Sequence, residues 1–152
     1  MDEPRFEPLF DMTVELEPPQ MIGQTPQGNR QIFYVRSGTF EGPRLKGKVL
    51  PGGGDWFLLR PDTVGELDVR ATLKTDDGAL IYATYRGIFS ASQESWERIY
   101  KGEPVDRDKY YFYTATIFQT SAPDYVWLNR LLAVGVGSPV RGGVSYRFYA
   151  LV

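Results

Sequence analysis

Two adjacent stretches of this chain alternate between apolar and polar residues and are joined by a tight-turn motif, and this pattern constrains the fold more than any other feature. Between Glu66 and Lys74 every second residue is apolar, namely Leu67, Val69, Ala71 and Leu73. A period of two is typical of a strand that buries one face. The motif Asp77-Gly78 supplies the positive φ angles of a hairpin turn, so residues 79–89 are predicted to return as an antiparallel strand.

The rest of the chain repeats this pattern of short strands separated by turn residues. Alternating or apolar runs predict further strands at residues 10–16, 32–36, 40–50, 56–60, 109–120, 131–137 and 144–152. About eight strands with such spacing predict an all-β fold, a single antiparallel β-barrel formed by residues 1–152 as one domain. A closed barrel also removes the sheet edges on which other molecules can pair.

Only one segment, residues 92–100, has the pattern of a helix of any length. Ser92 is a suitable N-cap residue, and Gly102 lies just beyond the end of the segment. Trp96, Ile99 and Tyr100 fall on one face, so we expect this short helix to close an end of the barrel. Residues 123–129 predict a further single turn.

The chain has no cysteine and no histidine among its 152 residues, which excludes several kinds of chemistry. There is no thiol nucleophile, no Ser-His-Asp triad, no Cys/His zinc site and no His or Cys ligand for haem. We therefore expect no metal and no cofactor. Proton transfer would have to use Asp, Glu, Tyr or Lys side chains.

The charge and hydropathy of the chain limit which partners and which location are expected. Lys and Arg number 17 against 19 Asp and Glu, which gives a net charge of −2, whereas nucleic-acid binders are usually basic. No apolar run approaches the roughly 20 residues that cross a bilayer, and the acidic start at Asp2-Glu3-Pro4 is unlike a signal peptide. We expect a cytoplasmic protein that binds neither nucleic acid nor membrane.

The charged positions of the hairpin are the main candidates for chemistry. Asp68 and Arg70 share one strand face, and Tyr82 and Arg86 share a face of the paired strand, so the hairpin can bring all four together. If this face is exposed to solvent, Asp68 and Arg70 form an ordinary surface pair. If it points into the barrel, burial raises the pKa of the Asp68 carboxyl and makes it a candidate general base.

Two glycine-rich segments also bear on the site. Asp55 and Trp56 follow glycines 52–54 at the start of a strand and are predicted to lie at the rim of a pocket. Neither this segment nor Gly135-Val136-Gly137 has the spacing of a phosphate or dinucleotide loop, and both are predicted to be bends or turns.

Five segments, in order along the chain, carry a resemblance to a known family. They are TFEGPRLKG at 39–47, VLPGGGDW at 49–56, LDVR at 67–70, TDDGALIY at 75–82 and YVWLNR at 125–130. Together they resemble the bacterial and fungal family called domain of unknown function 3237, over nearly the whole chain. The resemblance implies a barrel of the lipocalin or allene-oxide-cyclase kind, a shape found among ligand carriers and cofactor-free cyclases, isomerases and lyases. It also implies arginine at the position of Tyr113, so we expect an altered cavity.

Three functions follow from these observations and remain open. The first is a cofactor-independent isomerase, cyclase or lyase acting on a small hydrophobic or aromatic oxygenated compound, with Asp55 or Asp68 as acid or base and Arg70 holding developing negative charge. The ligand would contact Tyr34, Trp56, Tyr82, Arg86, Tyr113, Trp127 and Asn129. The second is a carrier with the same pocket and no chemistry. The third is a structural module whose barrel lacks a cavity above roughly 300 Å³.

Self-association depends on the orientation of the hairpin. If its charged face lies inside the barrel, the apolar face of Leu67, Val69, Ala71 and Leu73 lies outside and has to be covered. A homodimer is then the simplest closed assembly.

Overall fold

The computed structural model describes residues 2–152, which form ten strands, one α-helix and two 3₁₀ segments. The strands are β1 (Phe6–Leu16), β2 (Gln20–Thr25), β3 (Gly28–Glu41), β4 (Lys46–Val49), β5 (Gly54–Leu59), β6 (Val64–Thr75), β7 (Leu80–Ala91), β8 (Tyr110–Gln119), β9 (Ala133–Val140) and β10 (Gly143–Leu151). The helix α1 is Gln93–Tyr100, and the 3₁₀ segments are Arg107–Lys109 and Pro123–Arg130. The predicted domain begins at residue 1, which lies outside the described residues.

Eight of the strands close into an antiparallel barrel, which confirms the predicted fold class. β1 pairs with β10, and β9, β8, β7, β6, β5 and β3 follow around the barrel. β3 then pairs with β1 and completes the circle. The two remaining strands are short: β4 pairs with β3 and β6 in the same gap as β5 but further along it, and β2 pairs with β3 on the outside.

Two details of the predicted strands are wrong. The stretch 40–50 is interrupted between Glu41 and Lys46, because Pro43 has no N–H for a ladder and the Gly42 amide donates to the Leu45 carbonyl at 2.8 Å. Gly135 and Gly137 lie inside β9 and not in a turn. A Cβ atom on Gly137 would lie 2.5 Å from ring carbons of Phe112, so this glycine leaves room for an aromatic ring inside the barrel.

The predicted hairpin of β6 and β7 forms, and its apolar face lies inside the barrel. Its tight turn includes Gly78, which has a φ of +92°. The inner face of β6 is buried and consists of Leu67, Val69, Ala71 and Leu73. Asp68 and Arg70 therefore lie on the outer face, and the inward orientation considered for this pair is wrong. Charged groups lose hydration in an apolar lumen, whereas Leu and Val side chains gain free energy by burial.

The orientation of β6 removes the argument that a homodimer covers its apolar face. That face is already buried against the rest of the barrel core. The homodimer itself stays a prediction.

One half of the barrel is filled by a packed aromatic core. The Phe10 ring lies at its centre, with ring centroids 4.9 Å from Phe148, 5.5 Å from Phe40 and 6.0 Å from Phe118. The 3₁₀ segment Pro123–Arg130, at the position of the predicted single turn, adds the fully buried Leu128 to this core. This end of the barrel is therefore closed.

Helix α1 lies at the opposite end of the barrel. Its N-cap is Ser92, as predicted, whose hydroxyl accepts a hydrogen bond from the Ser95 amide at 3.1 Å. Trp96 is buried against Phe89, with 4.5 Å between ring centroids, and its indole N–H donates to the Thr63 carbonyl at 2.9 Å. These contacts hold the helix over part of the barrel opening. No helix within residues 2–152 is long and apolar enough to cross a membrane.

Replacing Phe10 by alanine tests the packed half of the barrel. Phe10 is 3 % exposed, and losing its ring leaves a void among three other aromatic rings, so we expect the free energy of unfolding to fall by about 3–5 kcal/mol. Phe6 lies on the same strand but is 53 % exposed, and Phe6→Ala should change it by only about 0.5 kcal/mol. Urea unfolding monitored by circular dichroism measures both. Equal losses in the two variants would contradict this description of the core.

Candidate functional site

The half of the barrel beneath α1 contains a cavity of about 660 Å³, here called the lumen cavity. Its wall is mostly apolar, and typical members are Met12, Val14, Leu67, Val69, Ala71, Phe89 and Phe112. The cavity opens at a rim formed by residues 15–19, by Arg36 and by the β9–β10 turn at 139–143. The apolar face of α1, which was predicted to close an end of the barrel, also lines the cavity through Trp96, Ile99 and Tyr100.

Among the described residues, Asp55 is the charged side chain that lines the interior of the cavity and not its rim. Five charged residues line the cavity, and the other four, Glu15, Glu17, Arg36 and Arg141, are exposed at the rim. Asp55 lies on β5 opposite Val69 of β6 and Phe33 of β3, both of which also face the cavity. The alternation of side chains along β5 thus directs this carboxyl inward.

The carboxyl of Asp55 is held by one backbone hydrogen bond and is otherwise desolvated. Its Oδ1 atom accepts from the Asp68 amide at 3.0 Å. The side chain keeps some accessible surface because it opens onto the cavity, but protein atoms surround it on the other sides. Burial therefore raises its pKa to about 7, against the lowering effects of the Asp68 amide and of the Arg30 charge. A carboxyl with this pKa can both accept and release a proton near neutral pH.

Two buried tyrosines share the wall of the cavity with Asp55. Tyr85 on β7 and Tyr146 on β10 are both buried, and their ring centroids are 5.4 Å apart. Burial raises the pKa of each phenol, as does the negative charge of Asp55, so both stay protonated at any physiological pH. They are neutral hydrogen-bond donors in the cavity that also contains the Asp55 carboxyl.

Two of the four charged side chains at the rim, Arg36 and Glu17, form an ion pair. Arg36 donates to Glu17 through two hydrogen bonds, Nε to Oε1 at 3.1 Å and Nη2 to Oε2 at 3.0 Å. The Ser37 hydroxyl donates to Glu15 at 3.2 Å. The rim is therefore polar and the wall beneath it is mostly apolar, as in small-molecule sites.

Of the predicted site residues, Asp55 alone lines the lumen cavity. Asp68 lies outside, 3.7 Å from the guanidinium of Arg86, which is 81 % exposed. The Arg70 guanidinium lies outside as well, 5.2 Å from the centroid of the Trp56 ring. These side chains belong to the outer face of β5, β6 and β7, and the outward orientation of Asp68 removes the desolvation on which its proposed role as a base depended.

The predicted aromatic ligand contacts also lie away from the lumen cavity. Tyr34 packs edge-on against Trp56 with 6.2 Å between centroids, and Tyr82 and Tyr113 are each 37 % exposed on the outer face. Because Tyr113 points outward, it does not alter the cavity as expected.

Trp127 and Asn129 belong to the 3₁₀ segment at the closed end of the barrel. The Arg44 guanidinium lies 3.7 Å from the Trp127 ring centroid, and the Asn129 side chain bonds both backbone groups of Thr120. Their contacts are those of residues that hold a loop in place.

Tyr85 and Tyr146 were noted only as two of the tyrosines on predicted strands and were not among the predicted site residues. Both occupy positions of period two within apolar strand faces, Tyr85 between Ala83 and Gly87 and Tyr146 between Val144 and Phe148. A tyrosine on an otherwise apolar strand face carries its hydroxyl into the core, and this was the signal in the sequence that could have identified both residues.

Titration of Asp55 tests the electrostatics of the site. We expect one aspartate carboxyl with a pKa of about 7 in ¹³C NMR spectra, and its absence in Asp55→Asn. Because the folded state binds this proton more tightly than the unfolded chain, the group destabilises the fold as pH rises from about 4 to above 7. Urea unfolding should therefore show wild type losing stability relative to Asp55→Asn over this range. A carboxyl that titrates near 4 in the wild type would contradict the assignment.

The likeness to known proteins covers almost the whole chain. The UPF0311 protein of Clostridium acetobutylicum is 37 % identical over 150 residues, which are 98 % of this chain and 95 % of that protein. A crystal structure of a β-barrel-like protein from Acinetobacter baumannii is 38 % identical, with a TM-score of 0.88 over 100 % of this chain and 98 % of the other.

A more distant likeness extends to a fungal enzyme. The crystal structure of an enzyme from Penicillium herquei is similar with a TM-score of 0.76 over 100 % of this chain and 97 % of the other, at 21 % identity, and the likeness at this identity concerns the fold alone.

The family of proteins of unknown function DUF3237 matches residues 4–151. The chain therefore belongs to the DUF3237 family.

Proposed function

We propose that this barrel is a cofactor-independent enzyme that moves a proton within a small hydrophobic or aromatic oxygenated compound, as an isomerase, cyclase or lyase does. The observation that carries the proposal is Asp55, a carboxyl with a pKa of about 7 on the wall of an apolar cavity that also contains two neutral phenols. A desolvated carboxyl costs stability, so its position in the lumen has to be explained by something other than folding.

The dimensions and lining of the lumen cavity support a small organic ligand. Its volume of about 660 Å³ falls within the range of roughly 300–1,000 Å³ of ligand pockets. The apolar wall favours a hydrophobic or aromatic body. Asp55, Tyr85 and Tyr146 are polar groups on that wall, and they favour a ligand with an oxygen function at one position.

The proposed step is proton abstraction next to a carbonyl. The free carboxylate oxygen of Asp55 takes the proton, the C–H electron pair forms the C=C bond of an enolate, and the carbonyl π electrons move to the oxygen. Tyr85 or Tyr146 donates a hydrogen bond to that oxygen and keeps its own proton. The protonated Asp55 then returns the proton at the same or a different carbon. The sequence is redox-neutral.

The pKa values of the three groups suit these roles. Asp55 has to be ionised to act as a base, so the rate should rise as pH increases through about 7. The raised pKa values of Tyr85 and Tyr146 keep both phenols protonated over the same range. Base and donors therefore coexist in their active forms above neutral pH.

The carrier is the second candidate, because an apolar cavity in a β-barrel also suits a bound hydrophobic molecule. A carrier does not need a carboxyl whose pKa lies near neutral pH, and this favours the enzyme. The volume of the lumen cavity weighs against the structural module, for which a filled barrel was expected.

Hydrogen–deuterium exchange of 2-tetralone, an aromatic ketone with acidic α-hydrogens, tests the proposal. Wild-type protein in D₂O should accelerate exchange of these hydrogens, measured by ¹H NMR, with a rate that increases through neutral pH. Asp55→Asn should lower the protein-dependent rate by about 10²–10⁴-fold, since that is the usual contribution of a general base.

The matched control is Asp11→Asn, which removes a carboxyl on the outer face of β1 that pairs with Arg147. This variant should accelerate hydrogen–deuterium exchange of 2-tetralone to the same rate as the wild type. Binding of 2-tetralone without any protein-dependent exchange would contradict the enzyme and favour the carrier. Exchange that survives in Asp55→Asn would contradict the role of Asp55.

A further inference from the structure

The pairing of β5 with β6 is interrupted beside Asp55. The register pairs Asp55 with Val69 and then Leu58 with Glu66, and no pair is formed by residues 56 and 57 in between. Counting along the two antiparallel strands sets Trp56 opposite Asp68. The Asp68 amide donates instead to the Asp55 carboxyl at 3.0 Å. The side chain of Asp55 thus takes a donor that a regular ladder would use.

Arg30 bonds the other backbone group at this interruption, the carbonyl of Trp56. Its Nη1 atom donates to the Trp56 carbonyl at 2.7 Å, within the range of a strong charge-assisted hydrogen bond. Arg30 lies on β3, two positions along from the residue that pairs with Trp56, Ile32. A carbonyl left unpaired in the ladder still requires a donor, and the Arg30 guanidinium supplies it in place of the Asp68 amide.

We propose that Arg30 is a positioning residue for Asp55: by bonding the Trp56 carbonyl it keeps β5 and β6 apart, and so leaves the Asp68 amide free to hold the Asp55 carboxyl on the cavity wall. Without Arg30, the Trp56 carbonyl lacks a donor and the Asp68 amide is the nearest one across the strands. Closing the ladder would then take the amide away from Asp55.

The charges around Asp55 give this arrangement an electrostatic consequence. The Arg30 guanidinium lowers the pKa of Asp55, whereas the Asp68 carboxylate and burial raise it, and burial is the largest of these effects. The phenols Tyr85 and Tyr146 on β7 and β10 line the same cavity and stay neutral. Arg30 is therefore the cation that offsets part of the desolvation of Asp55.

NMR titration of Arg30 variants tests the inference, which gives Arg30 its role through the function proposed for Asp55. In the wild type, the Asp68 amide proton shift should follow the titration of the Asp55 carboxyl, because the two atoms share a hydrogen bond. In Arg30→Met the pKa of Asp55 should rise above about 7 and the Asp68 amide should no longer follow it. Arg30→Lys, which keeps a positive charge and a donor, should restore both signals.

Arg70→Met is the matched control, since Arg70 lies on the outer face of β6 and contacts the Trp56 ring. It should leave the Asp55 titration unchanged. If Arg30→Met titrates like Arg70→Met and the Asp68 amide still follows Asp55, the inference is wrong. Arg30→Ile carries the same expectation as Arg30→Met, since isoleucine also lacks a donor and a charge and favours a strand, should the methionine variant not fold.

The two proposals fail separately in these measurements. The Asp55 titration and the Asp68 amide shift are read without any substrate. A shift of both signals together with no exchange of 2-tetralone would retain the positioning role and overturn the catalytic one. Exchange that depends on Asp55 but is unaffected by Arg30→Met would do the reverse.

Discussion

Burial of apolar side chains inside the barrel determines the direction of every side chain in its wall. Because successive residues of a strand point to opposite faces, enclosing Leu67 and Val69 puts Asp68 and Arg70 in solvent. The same rule applied along β5 directs Asp55 inward with Phe57. Asp55 is thus a charged residue at a position where the wall is otherwise apolar, and the local departure from regular pairing between β5 and β6 serves its carboxyl.

The barrel divides into two halves with different tasks. Phe10, Phe40, Phe118 and Phe148 fill one half and supply the packing that stabilises the fold. The other half keeps its space because the chain covers it with α1 and a polar rim instead of filling it. A rigid packed floor and a partly covered opening are what a site needs to hold a small molecule away from water.

The sequence was sufficient for the barrel, because the alternation in 66–74, the Asp77-Gly78 turn and the Ser92 cap are local signals that the tertiary structure reinforces. It was insufficient for the site. Asp68 and Arg70 were candidates because their face of the strand was undecided, and that choice depends on seven other strands. Asp55 was placed at a pocket rim but lies on the wall, and Tyr85 and Tyr146 meet only once β7 and β10 are brought across the lumen. The interruption between β5 and β6 is a property of strand pairing, which no single segment encodes.

The proposed function requires that the Asp55 carboxyl contacts the oxygen-bearing part of a ligand inside the lumen cavity. The most direct measurement is the ¹³C chemical shift of the Asp55 carboxyl during titration with 2-naphthol, an aromatic compound whose hydroxyl resembles an enol. We expect a saturable shift of this carboxyl, accompanied by changes at Tyr85 and Tyr146 and absent from the outer carboxyl of Asp11. Binding of 2-naphthol that leaves the Asp55 resonance unmoved would contradict the proposed function.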